Sequence, residues 1–133
     1  MVWAMEAGPR HTVLRLSRIR ICLMRGVSAS DEGAVVVTRH RFYIGELEKD
    51  GVTPVPKHVW DEINWIIGDA FGGFTCLRGF GVWEEKQEPS RIYECLTESF
   101  SSDAIKQTLV GCRDLANQTC ILWTYEEVQG EFV

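Results

Sequence analysis

The residues best suited to chemistry in this sequence are a carboxylate, a guanidinium and a phenol that lie in two β-rich stretches. Glu94 lies in the stretch 91–97, and Arg41 and Tyr43 lie in the stretch 35–44. If the two stretches pair as strands, Glu94 would act as a general base beside the Tyr43 phenol, and Arg41 would bind the substrate. The alternative is an ion pair between Arg41 and Glu94 that only holds the register of the strands.

A second group of polar residues follows the glycine pair at 72–73. Thr75 and Arg78 lie where the chain enters its second predicted strand. A hydroxyl and a guanidinium at such an entry point are suited to contacting a small ligand, so both are candidates for substrate binding. The alternative is a turn hydrogen bond for the threonine and a solvated charge for the arginine.

The chain has no sequence pattern for a metal, a cofactor or a disulfide framework. His40 and His58 are isolated from other ligand types, and none of the five cysteines has CxxC spacing. The Gly-Phe-Gly sequence at 79–81 precedes no helix, so it is not a phosphate-binding loop. We therefore expect no metal and no cofactor, and we expect reduced cysteines in a cytoplasmic protein.

The strands that must position these residues follow from β-branched and aromatic content. The content and alternation predict four strands, at 35–44, 74–83, 91–97 and 119–125. A polar hairpin loop is expected at 84–90, between the second and third strands. Gly79 and Gly81 weaken the second strand and indicate a bulge or the close approach of another backbone.

Apolar residues at steps of three and four predict two helices. The first runs from Pro56 to the glycine pair at 72–73, and Ser101 or Ser102 caps the second. The resulting order is that of the split β-α-β, ferredoxin-like fold, an α+β class with a four-stranded antiparallel sheet. Right-handed crossovers place the first and third strands in its centre, and both helices cover one face.

The third strand contains a conflict that bears on the open face of this sheet. Glu94 shares one side of the strand with Ile92 and Leu96, and Tyr93 shares the other side with Cys95. Burying Glu94 under the helices would be costly, so we expect it on the open face, with Tyr93 in the core. The apolar residues exposed beside Glu94 then predict a homo-oligomer that covers the open face.

Charge divides the chain into unequal parts. Residues 1–33 carry five arginines against three carboxylates, whereas residues 34–133 carry nine basic and sixteen acidic side chains. We expect a basic, disordered or dispensable arm at 1–33, a ferredoxin-like domain at 34–126 and a tail at 127–133. A short amphipathic helix, or an upstream extension before a later start, are alternatives for the first 33 residues.

The acidic domain argues against nucleic acid as a partner, because a phosphate-backbone binder needs a basic face. A small cationic ligand remains compatible with this charge. The sequence contains no run of about 18 apolar residues, so we expect no membrane span.

Four short motifs resemble those of small uncharacterised phage and bacterial proteins. They are Phe-Tyr-Ile-Gly at 42–45, Phe-Gly-Gly-Phe-Thr at 71–75, Gly-Val-Trp at 81–83 and Tyr-Glu at 93–94. The layout is also similar to that of phage S-adenosylmethionine lyases, which are ferredoxin-like oligomers with an active site between subunits. The resemblance implies Glu94 as the glutamate that matters there, and Tyr43 or Tyr93 as the tyrosine. Tyr93 is therefore also a candidate for substrate binding.

Two functions from different classes stay open on the sequence. One is an enzyme that acts on a small molecule, such as S-adenosylmethionine, at a subunit interface. The other is a non-enzymatic oligomer that binds a partner or a small ligand through the apolar open face.

Overall fold

The computed structural model describes residues 34–133, which form four strands and two helices. In chain order the elements are β1 (Val35–Gly45), α1 (Lys57–Phe71), β2 (Thr75–Trp83), β3 (Lys86–Thr97), α2 (Ser102–Leu115) and β4 (Leu122–Gly130). The expectations for the arm at 1–33 lie outside the described residues.

The four strands form one antiparallel sheet in the order β2-β3-β1-β4. The first and third strands of the chain occupy its centre and the helices pack on one face, which confirms the predicted ferredoxin-like α+β fold. The register places Arg41 opposite Glu94 and Phe42 opposite Tyr93. Because side chains alternate along a strand, these two pairs point to opposite faces of the sheet.

The bounds of α1 follow from the residues at its two ends. Pro56 occupies the N-cap position with φ −66°, the value that its ring fixes. Gly72 ends the helix in the left-handed region with φ 76°, and its N–H donates to the Gly68 carbonyl at 2.9 Å. The buried side of the helix is the predicted apolar stripe, namely Val59, Trp60, Ile63, Ile66, Ile67, Ala70 and Phe71.

Replacing Gly72 with alanine is expected to lower the free energy of unfolding by about 1–2 kcal/mol, because a Cβ disfavours the left-handed conformation. Urea denaturation measures the change. Gly68→Ala is the matched control inside the same helix, where an added Cβ makes ordinary contact with Phe74 at 3.5 Å. That variant should be as stable as the parent or more so. An equal loss in both variants would contradict the backbone argument.

The second helix, α2, packs beside α1 on the same face of the sheet and completes the core. The Ser101 side chain accepts the Ala104 N–H at 3.2 Å, which establishes Ser101 as the cap. Its apolar stripe is buried as predicted, and consists of Ile105, Leu109, Cys112 and Ala116. Phe42 and Tyr93 are fully buried between this helix pair and the sheet.

The hairpin between β2 and β3 is tighter than the sequence suggested. Instead of a loop at 84–90, only Glu84 and Glu85 form the turn, and β3 begins at Lys86. Both turn residues have positive φ, 49° and 66°, as a two-residue type I′ turn requires. The segment is polar, so the apolar alternation that would reveal a strand is missing from it.

The last strand both begins and ends later in the chain than the predicted stretch 119–125, because it runs over Leu122–Gly130. β4 continues to Gly130, which pairs with Val35 of the central strand β1. Residues 127–130, which we expected in a tail, therefore belong to the sheet. Backbone hydrogen bonds hold an edge strand in place whatever the polarity of its side chains.

Candidate functional site

Glu94 and Arg41 meet on the open face of the sheet. They are directly opposed across β3 and β1, and the Arg41 Nε donates to the Glu94 Oε2 at 2.9 Å. The two side chains are 26% and 36% exposed, so the pair is partly withdrawn from water. Two hydrogen bonds raise the pKa of the Arg41 guanidinium: the larger effect comes from Glu94 and the smaller from Tyr43. The structure thus brings the carboxylate, the guanidinium and the phenol together.

A second ion pair lies beside the first on the same face. Arg39 of β1 opposes Glu126 of β4, and the Arg39 guanidinium donates to the Glu126 carboxylate. This part of the open face therefore carries two ion pairs, each neutral in itself. Its apolar residues are distributed around these pairs, with Leu77 and Leu122 about half exposed at 46% and 58%.

A shallow depression of about 210 Å³ lies next to Glu94. It is lined by residues from the end of α1, the start of β2 and the middle of β3, namely Gly72, Gly73, Phe74, Thr75, Glu94, Cys95 and Leu96. Thr75 is the direct cross-strand neighbour of Glu94. A hydroxyl and a carboxylate are thus available on adjoining positions at one rim.

The depression is suited to a positive charge. The carboxyl end of a helix carries a partial negative charge, and α1 has no basic residue in its last turn to offset it. Glu94 adds a full negative charge, which Arg41 approaches through a single hydrogen bond to Oε2. A small cation entering the depression would compete with Arg41 for this carboxylate.

Tyr93 does not belong to this cluster. It is fully buried on the helix side of the sheet, and its hydroxyl donates to the Asn64 Oδ1 at 2.5 Å. Burial raises the pKa of the Tyr93 phenol. The side chain lies on the opposite face from Glu94, so Tyr93 cannot share a ligand with it through the sheet, and a substrate-binding role beside Glu94 is not supported.

Arg78 is also on the helix side of the sheet, away from Thr75 and Glu94. Its guanidinium forms a forked contact with Glu46, with Nε to Oε2 at 3.0 Å and Nη2 to Oε1 at 2.6 Å. Arg91 approaches the same carboxylate at 3.9 Å and lies over the Trp60 ring at 4.2 Å. Arg78 and Thr75 are three residues apart in a strand, and odd spacing sends their side chains to opposite faces.

The sequence argument overlooked the glycine pair and Leu96 as parts of a site. The sequence assigned Gly72 and Gly73 mainly the architectural role of ending the first helix, yet they form one wall of the depression beside Thr75. The position of the glycine pair in the sequence could have indicated this role. The chain passes from the end of α1 into β2 at these residues, and the start of β2 pairs with β3 at Glu94. Glu46 was missed because it lies in a loop, where no periodicity predicts its partners.

Two other kinds of site, a metal centre and a reactive Cys76 thiol, are not supported in the described residues. Within 34–133 no group of three or more His, Cys, Asp or Glu side chains is placed to hold a metal ion. Burial raises the pKa of the Cys76 thiol, which disfavours the nucleophilic thiolate. None of the helices between residues 34 and 133 has the length and apolar character needed to cross a membrane.

The chain was compared with known protein families and with curated proteins, and neither comparison found a match. The resemblance to phage S-adenosylmethionine lyases therefore stays a prediction. The geometry of the open face and its depression is what indicates a function.

Proposed function

We propose that the protein is a small homo-oligomeric enzyme that acts on a cationic small molecule, of the S-adenosylmethionine type, at a subunit interface. Glu94 serves as the general base, Tyr43 assists it, and Arg41 and Thr75 contact the substrate. The observation that supports the proposal most directly is the position of the Glu94 carboxylate at the rim of a depression formed at the carboxyl end of α1.

The charges around the depression support a cationic substrate in particular. A sulfonium centre would gain from the Glu94 carboxylate and from the negative end of the helix. Arg41 holds the carboxylate in place in the absence of substrate, through the 2.9 Å contact from Nε to Oε2. The Tyr43 hydroxyl interacts with the same guanidinium, so it is available to hold Arg41 when the cation takes its place.

The depression is shallow, and a second subunit would deepen it. The apolar residues around the ion pairs support burial of the open face against another copy, with the charges already paired within each subunit. Cys76 and Cys120 are exposed free thiols, which supports a reducing cytoplasm as the setting.

The first test is turnover of S-adenosylmethionine by the full-length protein, followed by chromatography of the products. Glu94→Gln is expected to lower kcat/KM by about 100-fold or more, the usual contribution of a general base. Glu126→Gln is the matched control, because Glu126 is the other carboxylate paired with an arginine on the same face. Its kcat/KM should stay within about threefold of the parent value.

Two outcomes would contradict this assignment. Absence of turnover in the parent protein would remove the enzymatic reading, and equal rates in the parent and in Glu94→Gln would remove Glu94 from the role of base. Calorimetric binding of S-adenosylmethionine that needs Glu94 but gives no product would instead favour the second candidate, a non-enzymatic ligand-binding oligomer. The neutral, partly apolar open face is the observation behind that second candidate.

A further inference from the structure

The two edges of the sheet differ in their protecting residues, and the edge formed by β2 is the less protected one. β2 is at one end of the strand order, so its outer backbone groups face away from β3. Residues 75–82 are all exposed, with Phe80 at 69% and Val82 at 64%. The only charged residue of this nine-residue strand is Arg78, which is turned back onto Glu46. Edge strands normally carry a charge, a proline or a bulge that prevents pairing with another chain.

The opposite edge of the same sheet has that protection. β4 carries the adjacent carboxylates Glu126 and Glu127, which are both exposed. Pairing two β4 edges would bring like charges together, and this is one of the ways in which proteins keep an edge unpaired. The contrast between the two edges indicates that β2 is adapted to pair with another strand.

The hairpin geometry shows which groups of β2 point outward. Trp83 pairs with Lys86 across a two-residue turn, and the closing pair of such a hairpin exchanges both of its hydrogen bonds. Hydrogen-bonded pairs then recur at every second residue, so the odd-numbered residues of β2 bond to β3. The N–H and C=O groups of the even-numbered residues, from Cys76 to Val82, are directed to the free edge.

We propose that β2 pairs with β2 of a second copy of this chain, antiparallel and about a two-fold axis at Gly79. Phe80 then opposes Arg78 of the second copy in a hydrogen-bonded pair, and Val82 opposes Cys76 in the next. The odd-numbered residues form the close, non-hydrogen-bonded pairs, with Gly79 facing its own copy. All nine residues of the strand are paired in this register. The hydrogen bonds between the two copies use only the N–H and C=O groups of the even-numbered residues, which point to the free edge.

The two glycines of β2 fit this arrangement. Adding a Cβ at Gly79 or at Gly81 would meet nothing within 4 Å in the isolated subunit, so both positions offer open space. Opposed strands approach most closely at a non-hydrogen-bonded pair, where Gly79 lies on the axis. Gly81 opposes Leu77 of the second copy, whose exposed side chain gains room. These glycines weaken a strand in isolation, and the close approach of another backbone accounts for them.

Neighbouring registers are less favourable. An axis at Arg78 would place two guanidiniums directly opposite each other, and like charges in that relation destabilise a strand pair. An axis at Phe80 would leave Thr75 without an opposing strand residue and shorten the overlap. Moreover, the Gly79 register uses one edge of each subunit and leaves β4 outside, so pairing through this edge closes after two copies and leaves the open face available for a separate contact.

The pairing also affects the depression beside Glu94, although the inference does not depend on the proposed function. In the Gly79 register, residue 83 of the second copy lies opposite Thr75, which is at the rim of the depression. The dimer would therefore extend the wall of the depression with main chain from another subunit. A site that is shallow in one chain would become a cleft between two.

The register can be tested by a cross-link at its axis, in the full-length protein. Under mild oxidation with diamide, Gly79→Cys is expected to form a 79–79 disulfide between two copies, since non-hydrogen-bonded pairs have a Cα separation of about 4.5 Å. Gly81→Cys is the control, because the two residues 81 of the paired copies would be offset by four residues, about 13 Å along the strand. The Gly79→Cys dimer should exceed the Gly81→Cys dimer at least tenfold, with linkages identified by peptide mass spectrometry. Equal yields would overturn the register.

A second measurement addresses the edge itself without any cysteine. Sedimentation velocity of the unmodified protein should show a dimer or a larger even-numbered assembly built from such dimers. Phe80→Lys should raise the dissociation constant of the β2-linked dimer at least tenfold by opposing Arg78 of the second copy. Gln129→Lys, an exposed position on the β4 edge, should leave the constant unchanged. A monomer at all concentrations, or an unaltered Phe80→Lys dimer, would overturn the inference. A dimer that dissociates only on Leu122→Glu would locate the contact on the open face, as the proposed function requires.

Discussion

Lowering the pH from 7 to 4 is expected to remove about 3 kcal/mol from the free energy of unfolding through His40 alone. His40 is fully buried, and burial lowers its pKa to about 4, from an ordinary value of 6.5. The side chain lies in the central strand β1 among aromatic rings. Phe100 meets it edge-on with ring centroids 4.7 Å apart, and Trp123 is stacked at 6.0 Å.

The hydrogen bonds of His40 define its tautomer. The Trp123 indole N–H can only donate, and it reaches the His40 Nδ1 at 3.1 Å, so that nitrogen accepts. The proton therefore resides on Nε2, which donates to the Thr97 Oγ1 at 2.8 Å. Protonating the ring would add a hydrogen to Nδ1, where it would face the indole N–H, and would place a charge in an apolar site.

The direction of the pH effect follows from these two states. Between pH 6.5 and 4 the unfolded chain binds a proton at residue 40 and the folded chain does not, so unfolding becomes easier as the pH falls. The contribution is fully present above pH 6.5, declines by about 1.4 kcal/mol per pH unit below it, and levels off near pH 4.

Urea denaturation at several pH values would measure this decline. Subtracting the curve of a His40→Gln variant from that of the parent isolates residue 40 from the carboxylates that also titrate. His58→Gln is the matched control, since His58 is exposed on α1 and should leave the pH dependence unaltered. Parent and His40→Gln curves that stay parallel from pH 7 to 4 would contradict the argument.

The fold could be predicted because its strongest patterns are periodic. The apolar stripe of α1 and the cap at Ser101 are local signals, because both depend on residues a few positions apart and can be recognised in the sequence. The position of Glu94 on the open face also followed from the sequence, because only one face of β3 can be buried cheaply. Tyr93 and Cys95, on the other side of the strand, are 0% and 2% exposed.

The parts that escaped prediction depend on backbone or long-range geometry. The turn at Glu84 and Glu85 requires positive φ, and glutamate gives no hint of that conformation, unlike asparagine or glycine. The link between Arg78 and Glu46 joins residues 32 positions apart, and no pattern connects a strand residue with a loop residue at that distance. The faces of Thr75 and Arg78 were separable in principle, because residues three apart in a strand alternate.

The buried role of His40 illustrates the same limit. The sequence showed a histidine without other ligand types nearby, which argued against a metal site and left a surface role or a strand-packing role open. Its partners Thr97 and Trp123 come from two different strands that flank β1. Only the sheet order places all three on one face, so the hydrogen-bond chain could not be inferred before the topology was known.

Truncating Tyr93 to alanine is expected to lower the free energy of unfolding by about 3–5 kcal/mol, the usual range for a fully buried aromatic residue. The ring is fully buried and packs against Phe74 with centroids 5.1 Å apart, so its removal would leave a cavity in the core. Tyr93→Phe keeps the ring and removes only the bond to Asn64, so it should cost about 1 kcal/mol. Urea denaturation at pH 7, where His40 is neutral, measures both.

The comparison with Tyr43 separates structure from function. Tyr43 is only partly buried on the open face, so Tyr43→Ala should cost less than about 1 kcal/mol. If the reaction occurs at Glu94 as proposed, Tyr43→Phe should lower kcat/KM for S-adenosylmethionine, and Tyr93→Phe should leave it unchanged once the protein is folded. A loss of turnover in Tyr93→Phe with retained stability would place the substrate on the helix side of the sheet. That result would overturn the assignment of the depression, because Tyr93 and Glu94 project from opposite faces of β3.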